Sequence, residues 1–152
     1  MSDPERGFTL VELMVSLWIG AVILAVAIPN FVTALDRVNL ARTTATVLEN
    51  LRDQQSLAQK LLAYQEVRFA PFSNYYVLYG YGTGYGSDFQ FAPQITYAEG
   101  YLHLPQPNIR YDDAGTVSES GQIAFTDTEG DVLDIVVYLQ SGETRILHHM
   151  IG

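Results

Sequence analysis

Apolar side chains run almost unbroken from Phe8 to Ile28, thin into a helical rhythm beyond Pro29, and give way to short alternating stretches from Val67 onward. The first segment approaches the roughly 20 residues that span a bilayer. The second places Phe31, Leu35, Val38, Ala41, Ala45, Leu48, Leu51, Ala58 and Leu61 or Leu62 on one face, with Asp36, Arg37, Arg42, Glu49, Arg52, Asp53 and Lys60 opposite. This spacing predicts one helix from Phe8 to about Tyr64, roughly 85 Å long at 1.5 Å per residue. Pro29 removes a backbone hydrogen bond and crowds the preceding turn, so a bend is expected there. A periodic pattern of this length without clear caps points to a membrane helix, a coiled coil or both. Its apolar stripe is expected to back the core of a folded head and, lower down, to meet other helices.

The remainder reads as β-structure punctuated by turn residues. Val67-Arg68-Phe69 and Tyr75 to Tyr79 flank Pro71 to Asn74 and predict a hairpin. Ile95-Thr96-Tyr97 and Tyr101 to Leu104 are further strand candidates, and the chain closes on Gln122 to Phe125, Val132 to Leu139 and Thr144 to His148. Ile135, Val137 and Leu139 would share one face, with Val136 and Tyr138 on the other. One long helix packed on an antiparallel sheet, an α+β architecture, is the expected fold. The expected divisions are a leader over 1–7, a membrane and assembly helix over 8–29, its amphipathic continuation over 30–66 and a β-rich head over 67–152.

Length and composition agree: 152 residues at 48% hydrophobic content accommodate one membrane segment and one small head. The chain has no cysteine, which excludes disulfides and thiolate metal sites.

Glu12 stands out in the first apolar run, where no Lys or Arg lies between Phe8 and Ile28 to pair with it. A carboxylate at mid-bilayer costs about 2.5 to 3.5 kcal/mol on insertion scales and ordinarily has a partner and a role. A cut between Gly7 and Phe8 would create the nearest cation, an α-amino group protonated near neutral pH. On a neighbouring copy that amine would pair with Glu12 and offset the burial of both charges. Glu12 then reads as an assembly contact.

The octapeptide Gly7-Phe8-Thr9-Leu10-Val11-Glu12-Leu13-Met14, followed by the apolar run and Pro29, resembles the class III signal of type IV pilins and type II secretion pseudopilins. The resemblance implies a membrane prepilin peptidase that cuts after Gly7, N-methylation of Phe8, docking into a filament through Glu12, and a bent or locally melted helix at Pro29. It also implies partners: the peptidase, other pilins through the N-terminal helix, and membrane proteins of an assembly platform. The leader departs from the family, carrying Asp3 and Glu5 against Arg6 where such leaders are usually basic. Arg37 and Arg42 follow the apolar run, so basic residues do not fix its orientation. Two other readings compete. Ala25-Val26-Ala27 resembles the cleavage site of an ordinary secretory signal, and an uncleaved anchor is also long enough. The first puts Glu12 in what should be an uncharged core, and the second leaves it unpaired.

The head extends the resemblance. Leu48 to Phe69, then Gly121 to Phe125, then a strand and Ser141-Gly142-Glu143-Thr144-Arg145-Ile146, is similar to minor pseudopilins and minor pilins of the GspH/FimT type. That implies a structural subunit, not an enzyme, in an inner or cytoplasmic membrane with its head on the outer side. It would join or prime a filament for secretion or a pilus, without a cofactor.

Charge bears on the alternatives. The chain carries −9, of which the leader supplies −1, leaving −8 after a cut at Gly7. From Phe69 onward only Arg110 and Arg145 oppose ten acids. Such a head repels phosphate, and DNA affinity depends on neutralising phosphates. Some minor pilins of this type take up DNA through closely spaced arginines near the C-terminus; here Arg145 stands there beside Glu143. A competence or pilus subunit that binds DNA is therefore the alternative reading.

Asp127, Glu129 and Asp131 gather oxygen ligands in one turn, as calcium favours, although hairpin turns use the same residues for geometry alone. Tyr79 to Gly86 alternates tyrosine and glycine, a sticky contact surface or a loop folded onto the sheet. His103, His148 and His149 lack metal-ligand spacing, and the chain shows no recognisable nucleophile with its base and no phosphate loop.

Overall fold

A computed structural model describes residues 9–80, 86–98, 108–117 and 119–149, with residues 148 and 149 by backbone alone. Helix α1 spans Leu10–Leu61, and the chain forms two compact units, Met1–Leu35 and Asp36–Gly152. Gly7, Phe8, the strand candidate at Tyr101 to Leu104, and His103 lie outside the described residues.

In the first unit the helix is apolar and uncovered: Leu10, Met14, Leu17, Trp18, Ile23 and Ile28 all face outward. It is long and apolar enough to cross a membrane. The helix continues through Pro29, where side chains contact the backbone on either side. Asn30 Nδ2 donates to the Val26 carbonyl at 3.1 Å, and the Thr33 hydroxyl donates to the Pro29 carbonyl at 3.2 Å. Such bonds tap carbonyls that otherwise serve the helix ladder.

The second unit packs the rest of α1 against two four-stranded antiparallel sheets. Strands β1 (Gln65–Phe69), β2 (Tyr75–Gly80), β3 (Gly86–Gln90) and β5 (Asn108–Tyr111) make one sheet in the order β3-β2-β1-β5. Strands β4 (Thr96–Ala98), β6 (Gly121–Thr126), β7 (Val132–Val137) and β8 (Thr144–His149) make the other in the order β4-β6-β7-β8. The β1-β2 turn joins the sheets by backbone bonds: Phe72 N–H donates to the Tyr97 carbonyl and Tyr97 N–H to the Ser73 carbonyl, both at 3.1 Å. Side chains complete the junction. Phe69 stacks on Tyr97 at 5.4 Å between ring centroids and meets Phe125 edge-on at 6.2 Å, geometries that aromatic quadrupoles favour.

The helix turns a different face to this core than its apolar stripe implied. Asp36, Leu40, Thr44, Val47, Leu51, Gln54 and Ala58 are buried, at the steps of three and four that one helical face requires. Leu51 and Ala58 were expected there, but Phe31 is 69% exposed and Leu35 and Val38 are nearly half exposed. Asp36, expected on the solvent face, is 3% exposed. Thr44 and Asp36 are tolerated inward because they find partners: Thr44 donates to the Leu40 carbonyl at 2.8 Å, and Thr128 donates to Asp36.

Neighbouring helix residues dock loops the same way. Gln55 Nε2 donates to the carbonyls of Gly115 and Ser141, both at 2.8 Å, and Gln59 Nε2 to that of Ala114 at 3.0 Å. These contacts require glycine. Gly142 has φ +64°, and a Cβ there would stand 2.6 Å from Gln55 Nε2 and 2.7 Å from the Gly115 carbonyl.

Helix α1 stops before Tyr64 in a turn made by Leu62, whose φ is +50°. Ala63 N–H reaches back to the Ala58 carbonyl at 3.2 Å, the six-to-one bond of a Schellman cap. Strand β7 stops at Val137. The chain turns through Gln140 (φ +66°), so Leu139 is 49% exposed rather than continuing the inner face of Ile135 and Val137.

Candidate assembly site

Thr9 and Glu12 build the start of α1 between them. Thr9 N–H and its hydroxyl donate to Glu12 Oε2 at 3.1 and 3.0 Å, and Glu12 N–H returns a bond to Thr9 Oγ1 at 3.3 Å. This reciprocal capping box satisfies donors that the first helical turn leaves free. Its signature, Thr9 followed three residues later by Glu12, is legible in the sequence. Both Thr9 bonds fall on Oε2, so Oε1 remains open to a further partner among the described residues. One turn on, the Ser16 hydroxyl donates to the Glu12 carbonyl at 2.8 Å.

The cap does not compete with the proposed cut. Phe8 would be the first residue and Thr9 the second, so the Thr9 N–H that holds Glu12 persists after cleavage. A carboxylate held at the helix start also lies where the macrodipole favours negative charge.

The acidic turn has a structural employment. Asp127 is buried and its Oδ1 accepts the backbone N–H groups of Glu129 and Asp131 at 3.0 and 2.9 Å. Asp131 pairs with Arg37 Nε at 2.7 Å, and Thr128 bonds Asp36. Asp131, with Asp127 and Glu129 near it, raises the Arg37 pKa. Asp127 thus shapes the turn and Asp131 ties it to α1. Among the described residues no group of three His, Cys, Asp or Glu side chains converges to hold a metal ion.

Arg145, on β8, is engaged by Glu143: Nε and a terminal nitrogen lie 2.9 and 2.8 Å from one carboxylate oxygen, with both side chains exposed. That hydrogen-bonded carboxylate raises the arginine's pKa. The side chains of His148 and His149 are not among those described.

Comparison with known proteins matches the start of the chain and its fold. Residues 3–28 match the family model described as the prokaryotic N-terminal methylation motif. No curated protein matches by sequence. The fold is similar to the minor pseudopilin EpsH from the type 2 secretion system of Vibrio cholerae, with a TM-score of 0.60 at 10% identity, covering 72% of this chain and 97% of that one. One chain thus carries an N-terminal methylation motif, a membrane-length helix and an α+β head. The chain shares the prokaryotic N-terminal methylation motif over residues 3–28 and is similar in fold to a minor pseudopilin.

Proposed function

We propose that this chain is a minor pseudopilin-like subunit of a type II secretion or type IV pilus-type filament, cut between Gly7 and Phe8 by prepilin peptidase and methylated on Phe8. It sits in the inner or cytoplasmic membrane through a single pass over 8–29 with its head on the outer side. Other pilins meet it through the N-terminal helix, and assembly-platform proteins receive it in the membrane.

The observation that carries this reading is Glu12, held by Thr9 at the start of an apolar helix within a methylation motif. Its open oxygen suits the amine of a neighbouring Phe8, which would neutralise the carboxylate inside the bilayer. The outward-facing Phe31 and Leu35 support helix-to-helix contact, since they are exposed among the described residues. Pro29, with its ladder bond removed, supplies the turn that yields most easily as the helix leaves the membrane.

Glu12→Ala in the native cell tests the docking role. Cleavage at Gly7 should proceed while incorporation into sheared filaments falls at least tenfold. Wild-type incorporation of the cleaved variant would refute it.

A further inference from the structure

The head portion of α1 carries two kinds of exposed charge. Arg37 and Arg52 are engaged within the head: Arg37 Nε pairs with Asp131 at 2.7 Å, and a terminal nitrogen of Arg52 donates to the Thr144 carbonyl at 3.2 Å. Arg42, Glu49, Asp53 and Lys60 are exposed and, among the described residues, form no ion pair. The Glu12 contact makes no use of them.

Spacing puts all four on one seam. Seven residues are two helical turns less about 20°, so Arg42 and Glu49 share a face, as do Asp53 and Lys60. Eleven residues are close to three whole turns, which brings Asp53 back under Arg42. The seam takes in Val38, which is 48% exposed, and the exposed Ala45. It lies opposite the buried line through Leu40, Val47, Leu51 and Ala58.

The order of signs makes the seam complementary to itself. Two parallel copies in register would set Arg42 on Arg42 and Glu49 on Glu49, and like charges facing each other repel. Displacing one copy by seven residues, about 10.5 Å at 1.5 Å per residue, brings Arg42 level with Glu49, Asp53 level with Lys60 and Val38 level with Ala45. A displacement of eleven also matches charges, Arg42 with Asp53 and Glu49 with Lys60, but it sets the apolar Val38 against Glu49. Opposite charge and apolar contact therefore coincide at seven.

We infer that the outward seam of α1 docks on the same seam of a second copy of this chain, parallel and displaced by seven residues, so that copies can follow one another in a filament. The inference rests on the assembly reading, because anchoring in one membrane is what sets the two helices parallel. Charges along such a seam select partner and register.

The chain contains no cysteine, so introduced thiols report alone. The test expresses Val38→Cys and Ala45→Cys copies of the full chain together in the native cell, one of them tagged, and treats sheared filaments with a short bismaleimide. The link between positions 38 and 45 should exceed the 38–38 and 45–45 links. Arg42→Glu in both copies should cut its yield about tenfold, because a like charge then faces Glu49, and Arg42→Glu combined with Glu49→Arg should restore it. Dominant 38–38 or 45–45 links, or no restoration by the double exchange, would overturn the inference. Filaments that contain the chain yet give no 38–45 link would overturn it alone, whereas absence of the chain from filaments would overturn it together with the assembly reading.

Discussion

The Thr128 hydroxyl donates to the buried Asp36 carboxylate at 3.0 Å, tying the β6-β7 turn to α1 at the first residue of the head unit. Beside it, Arg37 and Asp131 form an exposed pair at 2.7 Å. The two contacts look alike in a contact map and differ in energetics. Thr128→Val would leave a buried charge short of a donor, at about 1 to 3 kcal/mol. Asp131→Ala breaks a solvent-screened pair, which is worth under about 1 kcal/mol. Urea unfolding of the two variants in micelles should rank them in that order; the reverse order would show that the exposed pair holds the turn.

Leu62 ends the helix in a left-handed conformation that favours glycine. Its side chain is exposed, so little packing is lost by removing it. Leu62→Gly should therefore raise stability by about 0.5 to 1 kcal/mol, read as a higher thermal midpoint. Pro at the same position, which cannot adopt that φ, should lower it.

Gly142 is the opposite case. A methyl group there would meet both Gln55 and the Gly115 carbonyl, and the backbone at φ +64° adds strain. Gly142→Ala should lower the unfolding free energy by at least about 1 kcal/mol, because a backbone oxygen cannot move aside. Pairing it with Gln55→Ala should recover only the part due to the glutamine. Full recovery would mean that the backbone carbonyl is no obstacle.

Asp112 gives the head an acid limit. Its carboxylate accepts the Thr116 hydroxyl, and its Oδ1 accepts the N–H groups of Thr116 and Ala114 at 2.7 and 3.0 Å. The Thr116 hydroxyl bond leads in holding its pKa below the ordinary carboxylate value. A depressed folded-state pKa gives stability that is present above about pH 3.9, the unfolded value, and lost as pH falls through the lower folded one. Melting of the wild type against Asp112→Asn from pH 6 to pH 2 should show the two converging as acid is added. A constant gap would contradict the assignment.

How much of this was legible in the sequence follows from how each residue's neighbours are supplied. The apolar run, the β1-β2 hairpin and the β6-β7-β8 meander rest on local patterns, and all appear where alternation and turn residues put them. The apolar stripe points to the wrong face of α1 because core-facing Asp36, Thr44 and Gln54 are polar, and outward-facing Phe31, Leu35 and Val38 are not. Hydropathy cannot anticipate that Thr128, 92 positions away, supplies the donor that admits Asp36. Strand β3 has no sequence signal because all five of its residues are exposed and show no alternation. The division into two sheets depends on non-local pairing, notably β1 with β5, which has no sequence signature.

The candidate site was legible in identity and incomplete in mechanism. Glu12 announced itself as a charge in an apolar run, whereas its bond to Thr9 needed the helix start to be built.

The measurement that bears most directly on the account is the mass and sequence of the N-terminal peptide from membrane-extracted protein. The account predicts a chain that begins at N-methylated Phe8. A chain beginning at Ile28, as an ordinary exported protein would, or one retaining Met1, as a simple anchor would, contradicts it.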